Sequence, residues 1–171
     1  FAGVAFSRNE FRWSPRISRE DGLVRMVPGL GTRAVDRTGD DYPALIVPGQ
    51  PELRVNVAVD EIIRYSPRMM DVINLEENCF ETISIRDLLQ ETGGDYERFS
   101  QVFSILDDGR LISPISTMMD FDPQRLYPTF EGLRTKSDFL ARMKAMLDTL
   151  EATMKVPVDV EFAHDGTDLF L

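Results

Sequence analysis

Alternation of apolar and polar residues predicts strands near both ends of the chain. Residues 3–6 form a short apolar run that is typical of a buried strand. Residues 158–163 alternate strictly, and strand side chains point to opposite faces in turn, so Asp159, Glu161 and Ala163 share one face. The other face of this predicted strand is apolar.

Turn residues group the apolar runs into hairpins. Asp-Gly pairs at 108–109 and 165–166 each separate two apolar runs, which is a strong hairpin signal. The Glu-Asp-Gly sequence at 20–22 predicts a third hairpin with strands over 10–17 and 22–27. Further strands are predicted over 44–47, 53–57 and 69–75.

The longest helical period runs over residues 137–155. Thr135, with Ser137 or Asp138, can cap the start of this helix, and Pro157 ends it. Apolar side chains recur at three- and four-residue steps and line one face, which predicts a core-facing helix: Phe139, Leu140, Met143, Met146, Leu147, Leu150 and Met154.

A shorter helix is predicted from the N-cap Ser84 to the glycines at 93–94. Together with the strands, these helices indicate the α+β class. We expect a single domain over residues 1–171, in which helices pack on a largely antiparallel sheet. The length of 171 residues and a hydrophobic content of 43% suit one globular domain.

The net charge of −10 disfavours a nucleic-acid partner, whose phosphate backbone would be repelled. Several arginines nevertheless gather in the first third of the chain and suit a polyphosphate ligand: Arg8, Arg12, Arg16, Arg19, Arg25, Arg33 and Arg37. Scattered surface arginines are the alternative interpretation.

The chain has no apolar run long enough to predict a membrane-spanning helix. The single cysteine, Cys79, excludes an internal disulfide and is expected to be a small buried residue. The chain also lacks a charged-then-apolar leader and begins with Phe1. We expect a cytoplasmic location, and we expect the chain to be a piece of a larger protein.

The carboxylates of Asp159 and Glu161 are candidate ligands for a hard cation. Mg²⁺ is usually held by one or two carboxylates together with substrate phosphates and waters. The alternative is an ordinary solvent-facing strand, since charge outward is the default antiparallel pattern.

Three segments resemble, in order, landmarks of one family. They are Gly-Val-Ala-Phe-Ser-Arg-Asn at 3–9, Pro-Gly-Leu-Gly at 28–31, and Asp-Val-Glu-Phe at 159–162 followed by a hairpin. The family is the N-terminal ATP-binding region of phosphoenolpyruvate synthase and pyruvate phosphate dikinase, an ATP-grasp domain. The resemblance covers residues 1–47 and 136–171 and implies the C-terminal part of that nucleotide-binding domain. The middle segment, 58–135, is poorly matched.

The resemblance implies roles for particular residues. Glu161 would be the Mg²⁺ ligand and Asp159 its neighbour in the site, with ATP and Mg²⁺ as cofactors. Arg8 would bind phosphate oxygens and steady the negative charge on a moving phosphoryl group. The alternative for Arg8 is a structural ion pair with an acid on an adjoining strand.

The glycine loop departs from the family pattern. Gly29 and Gly31 would let the backbone approach the nucleotide. Thr32 stands where the family usually has glutamate, which puts a charge contact from the loop in doubt, and Arg33 is expected to supply a different phosphate contact. His164 is the only histidine, but the family's acceptor histidine sits in another domain, so His164 is expected to be a solvated residue beside the turn.

The resemblance further implies an ATP-dependent phosphotransferase. Its partners would be ATP, pyruvate or phosphoenolpyruvate, and a phosphohistidine domain of the same protein, with phosphoryl passing from ATP to that histidine and then to pyruvate. The fragment alone is expected to be inactive because its phosphate cradle is incomplete. Two alternatives remain open: a non-catalytic nucleotide-binding or regulatory domain on the same fold, and a relative that phosphorylates an antibiotic or a glucan.

Overall fold

The computed structural model describes residues 1–35, 41–92, 98–114 and 122–171. Within this part of the chain the largest sheet has the strand order β10-β9-β1-β2-β3, and every neighbouring pair is antiparallel. Its strands are β1 (Ala2–Phe6), β2 (Leu23–Val27), β3 (Ala44–Ile46), β9 (Asp159–His164) and β10 (Leu169–Phe170). The first strand lies between β2 and β9, so the predicted strands at the two ends of the chain are direct neighbours.

The register of this main sheet separates an apolar face from a charged one. Gly3 lies opposite both Phe162 and Met26, whose side chains are buried. Val4, on the other face, lies opposite both Glu161 and Arg25. Directly opposite residues share a face in an antiparallel pair. The predicted acidic face of β9 is therefore confirmed, and β2 adds an arginine to the same side of the sheet.

The long helix covers the apolar face. It is α6 (Phe139–Met154), and its side chains at 139, 140, 143 and 147 are buried in one cluster with residues of β1, β2 and β9. This confirms the predicted core-facing helix. Met154, the last residue of the predicted apolar stripe, is 61% exposed. The helix ends where Lys155 adopts a left-handed conformation, two residues before Pro157.

The start of α6 differs in detail from the sequence expectation. Thr135 belongs to a separate short helix, α5 (Glu131–Lys136), where its hydroxyl donates to the Glu131 carbonyl oxygen. Asp138 is the N-cap residue but makes no capping hydrogen bond with its side chain. Ser137 contributes instead, since its Oγ accepts from the Phe139 N–H at 3.3 Å.

The middle of the chain forms two smaller antiparallel sheets. One is the hairpin of β4 (Met69–Asn74) and β5 (Cys79–Ser84). The other contains β6 (Phe103–Asp107), β7 (Arg110–Ile112) and β8 (Leu126–Pro128). The remaining helices are α1 (Thr32–Val35), α2 (Val59–Arg64), α3 (Ile85–Thr92) and α4 (Phe99–Val102). Antiparallel sheets with packed helices confirm the α+β class.

Local turn and cap signals were reliable. Asp108 and Gly109 both have positive φ in the two-residue connection between β6 and β7, as a twisted hairpin requires. The Asp165-Gly166 turn joins β9 to β10 as predicted. Ser84 caps α3 through a contact with the Asp87 N–H. The glycines at 93–94, predicted to end α3, lie outside the described residues.

Two predicted strands and the predicted burial of Cys79 were wrong. Residues 10–17 form no strand, because both edges of β2 are already paired, with β1 and β3. Residues 53–57 form no strand either, since the Leu53 N–H continues a turn by donating to the Gln50 carbonyl oxygen. Cys79 is exposed, because β5 is an edge strand of a two-stranded hairpin.

Within the described ranges, no helix is long and apolar enough to cross a membrane.

Candidate functional site

The acidic face of β9 is open to solvent. Asp159 and Glu161 are both exposed. Phe162 and His164, on the other face of the strand, are buried. Among the described residues, neither carboxylate has a hydrogen bond or an ion pair. Both are thus available to an external cation or ligand, and the strand that carries them is fixed by its pairing with β1.

Arg8 follows β1 and is held by two acids. Its Nε donates to Glu151 Oε1 at 2.9 Å, its Nη2 contacts the same oxygen, and its Nη1 contacts Glu20 Oε1. The hydrogen bond that Arg8 donates to Glu151 raises the pKa of Arg8. The acids lie on α6 and in the turn before β2, so the expected structural pairing is present, although neither acid is on an adjoining strand.

The structure does not bring Arg8 into contact with the β9 carboxylates. Glu161 lies opposite Val4, four residues before Arg8, and Asp159 lies opposite Phe6. A cavity of about 350 Å³ beside Arg8 is lined by Glu20, by α6 residues and by Lys155, without Asp159 or Glu161. The two groups are linked through Ser7, whose N–H donates to the Val158 carbonyl oxygen at 2.9 Å and whose Oγ accepts from the Val158 N–H at 3.0 Å.

The glycine loop packs against protein. Gly29 has φ +75° and bridges to Asp71 of β4, whose carbonyl oxygen accepts from the Leu30 N–H at 2.9 Å. A Cβ on Gly29 would clash with Met70 and the Asp71 backbone. A Cβ on Gly31 would lie 3.3 Å from the Ala2 Cβ. These contacts explain both glycines by the close approach of protein segments.

Gly29→Ala is expected to destabilise the fold by about 1–3 kcal/mol, from an unfavourable backbone conformation and overpacking against β4. Urea unfolding of the two proteins measures the difference. Gly109→Ala is the matched control, because Gly109 also has positive φ but a Cβ there would meet nothing within 4 Å. Equal losses for the two variants would show that the contact with β4 contributes nothing.

Arg33 is fixed in a buried ion-pair cluster. Its side chain is 11% exposed and lies 3.1 Å from Asp41 and 3.8 Å from Asp71. Asp71 also accepts from the Thr82 hydroxyl at 2.6 Å, and Asp41 accepts from the backbone N–H of Arg68 at 2.7 Å. The guanidinium that was predicted to bind phosphate is thus surrounded by protein carboxylates.

His164 was expected to be solvated, and this was wrong. It shares the inward face of β9 with Phe162 and is only 8% exposed. Its ring stacks on Phe1 with centroids 4.9 Å apart, and its Nδ1 accepts from the Gly166 N–H at 2.9 Å. Burial lowers the pKa of His164. His164 is the last residue of β9, beside the predicted turn, and its side chain is covered because it lies on the same buried face as Phe162.

A lowered pKa in the folded state means that the unfolded chain binds the His164 proton more tightly. We therefore expect the free energy of unfolding to fall as pH decreases through about 6.5, the ordinary histidine value. Urea titrations between pH 8 and 5.5 measure this, above the range where carboxylates protonate. His164→Leu should reduce the slope below about pH 6.5, whereas the Phe1 amino group, whose pKa is also lowered by burial, keeps its own contribution at higher pH. An unchanged slope below about pH 6.5 in that variant would refute the assignment.

The sequence assigned no individual site role to three residues near these sites. Arg25 shares the face of Glu161, and alternation within β2 was the available signal. Arg25 also lines a cavity of about 950 Å³ beside the edge strand β3, together with Tyr42 and Tyr65. Ser7 belongs to the motif at 3–9, but its contact with Val158 could not be predicted. Glu151, which pairs with Arg8, gave no local signal.

The donor set at β9 suits one kind of metal binding. No cluster of three or more histidine, cysteine or acidic side chains that could hold a metal occurs in the described part of the chain. Two neighbouring carboxylates are sufficient for Mg²⁺ when phosphate oxygens and water complete its shell. The residues therefore fit a magnesium–phosphate complex better than a free ion.

Comparison with known proteins supplies the family. Residues 1–171 match the family model described as pyruvate phosphate dikinase, AMP/ATP-binding domain, and the match includes the segment 58–135 that the motifs left unmatched. Searches of curated proteins and of solved structures found no match. The α+β fold is consistent with an ATP-grasp-like nucleotide-binding lobe. The chain belongs to the pyruvate phosphate dikinase AMP/ATP-binding domain family, the nucleotide-binding part of ATP-dependent dikinases.

Proposed function

We propose that this chain forms one side of the ATP site of a phosphoenolpyruvate synthase or pyruvate phosphate dikinase. In the full-length protein, ATP phosphorylates a histidine on another domain, and the phosphoryl group then passes to pyruvate. The observation that carries the proposal is the open acidic face of β9, where Asp159 and Glu161 are exposed and have no partner among the described residues. The proposed setting is the cytoplasm, where ATP and pyruvate are both available.

In this proposal Asp159 and Glu161 hold Mg²⁺. The ion would neutralise charge on the ATP phosphates and orient them for transfer. The chain's own contribution is positional: β9 is fixed between β1 and β10, and its inward side is buried against the core, so the two carboxylates keep one orientation. An ionised carboxylate pair without a metal would repel the phosphates instead.

Arg8 is the proposed phosphate contact. Its planar guanidinium can meet phosphate oxygens and stabilise charge that develops during transfer. Gly29, Gly31 and Arg33 complete the proposed nucleotide side. Because these residues contact β4 and β1, their proposed role is to hold the wall of the nucleotide site in place.

A non-catalytic nucleotide-binding or regulatory domain is the second candidate. The observation that favours it is the state of the arginines: Arg8 and Arg33 are both bonded to carboxylates of the same chain. Thr32, which stands where the family usually has glutamate, opens α1 and offers no carboxylate. A domain with weakened phosphate contacts would bind nucleotide without transferring phosphoryl.

Calorimetry with Mg·ATP tests the proposal. The isolated chain is expected to bind weakly or not at all, because the family clasps the nucleotide from two sides. The full-length protein is expected to bind well and to form AMP and a phosphohistidine. Tight binding without AMP formation would favour the regulatory domain. A Glu161-dependent Kd of about 1 μM for the isolated chain, or about 8 kcal/mol, would contradict the one-sided site.

A further inference from the structure

We propose that Glu20 is a displaceable substitute for nucleotide phosphate on Arg8, and that Glu151 is a positioning residue that keeps Arg8 oriented during the exchange. The inference rests on the proposed function, since it takes Arg8 as the phosphate contact. It assigns different roles to the two acids that hold the same guanidinium.

Glu151 holds one edge of the guanidinium. Arg8 Nε and Nη2 both point to Glu151 Oε1, with 2.9 Å from Nε. The Glu151 side chain is 21% exposed and projects from the last turns of α6, which is anchored in the core. Because the helix is rigid and two donors contact the same oxygen, the Arg8–Glu151 contact persists when phosphate replaces Glu20.

Ser7 reinforces the Glu151 contact and connects it to the metal strand. A hydrogen bond from the Ser7 hydroxyl, followed by the contact with Arg8, lowers the pKa of Glu151, so the carboxylate stays ionised. Ser7 is 4% exposed, and its Oγ accepts from the Val158 N–H at 3.0 Å. The start of β9, the strand of Asp159 and Glu161, is thereby tied to the Arg8–Glu151 pair.

Glu20 contacts the remaining edge of the guanidinium, but it is more exposed than Glu151 and does not lie on a long helix. Its side chain is 65% exposed and lies in a single helical turn over Arg19–Asp21. Exposed ion pairs are weak because water and salt screen them. Guanidinium forms short charge-assisted hydrogen bonds to phosphate oxygens as it does to carboxylate oxygens, so a phosphate oxygen can replace Glu20 at Nη1.

The cavity beside Arg8 supplies a second cation for the incoming anion. Lys155 lines this space of about 350 Å³ and has no ion pair among the described residues. Asp148, which also lines it, is paired with Lys144. When Glu20 leaves, Arg8 Nη1 and Lys155 can thus both donate to phosphate, while Glu151 stays in place.

The test compares KM for ATP in variants of the full-length protein. Glu20→Gln removes the competing charge and is expected to lower KM about two- to fivefold with kcat unchanged, the size of effect that an exposed ion pair has. Glu10→Gln is the matched control, because Glu10 is 67% exposed and pairs with Arg19 in the same way. Its KM should equal that of the parent protein.

Glu151 is tested by a readout that a merely structural role would not change. The NMR signal of Arg8 Nε–H should persist in Glu20→Gln, because Nε donates to Glu151 and not to Glu20. It should also persist in Glu151→Gln, because glutamine keeps an acceptor oxygen. It should broaden through exchange in Glu151→Ala, with a loss of kcat that Glu151→Gln largely restores. Equal kcat in all three would overturn the positioning role.

Arg8→Ala separates this inference from the proposed function. If Arg8→Ala raises KM and abolishes the effect of Glu20→Gln, the two side chains are coupled as proposed. If Arg8→Ala raises KM but Glu20→Gln matches Glu10→Gln or weakens binding, only the substitute role fails. If Arg8→Ala leaves KM and kcat unchanged, the phosphate role of Arg8 fails and the inference falls with it.

Discussion

Glu161→Ala in the full-length protein is expected to abolish ATP-dependent phosphorylation while leaving the fold intact. Loss of a preorganised charge at a phosphoryl-transfer site is expected to slow turnover by at least about 100-fold. Glu161 is exposed and has no partner in the described part of the chain, so its removal should change stability by no more than about 0.5 kcal/mol. Phosphoryl transfer from labelled ATP and urea unfolding provide the two measurements.

Asp168→Ala is the matched control for Glu161→Ala. Asp168 is another exposed carboxylate of the same hairpin, beyond the turn that joins β9 to β10. Its removal changes the net charge equally and should leave turnover unchanged. Normal turnover in Glu161→Ala, or an equal loss in Asp168→Ala, would reject Glu161 as the metal ligand.

Leu147→Ala is expected to destabilise the chain by about 2–5 kcal/mol, the range for deleting a leucine side chain from a packed core. Leu147 is fully buried in the middle of α6, in the cluster that includes Val24 and Met26 of β2. The substitution would leave a cavity between the helix and the sheet, and rigid neighbours fill such a cavity only partly. Urea unfolding at neutral pH measures the change.

Met154→Ala is the control on the same helix. Its side chain is 61% exposed, so stability should change by about 0.5 kcal/mol or less. A change for Leu147→Ala well below 1 kcal/mol would mean that the apolar stripe of α6 does not face the core. That result would contradict the packing described for the main sheet.

Features encoded over a few residues could be predicted from the sequence. The apolar period of α6, the Asp-Gly turns at 108–109 and 165–166, and the acidic face of β9 all depend on side chains within one turn or one strand. Such patterns need no knowledge of the partner segment. They identified both the helix that covers the sheet and the strand that carries the candidate metal ligands.

Features that depend on distant segments could not be predicted. Arg8 and Glu151 are 143 positions apart in sequence, and nothing near either residue indicates the other. Residues 10–17 and 53–57 have enough apolar content for strands but find no free partner strand. The burial of His164 depends on Phe1 and Phe139, which reach it from other elements.

The most direct test of the account is the position of the metal–nucleotide complex on the chain. Substoichiometric Mn·ATP, added to the full-length protein in which this chain is isotopically labelled, broadens NMR signals near the bound ion. The account predicts selective loss of the Asp159 and Glu161 backbone signals, and their recovery in Glu161→Ala. Broadening centred on another acidic segment, such as the turn at 76–77, or broadening that Glu161→Ala leaves unchanged, would contradict the placement of the ATP site at β9.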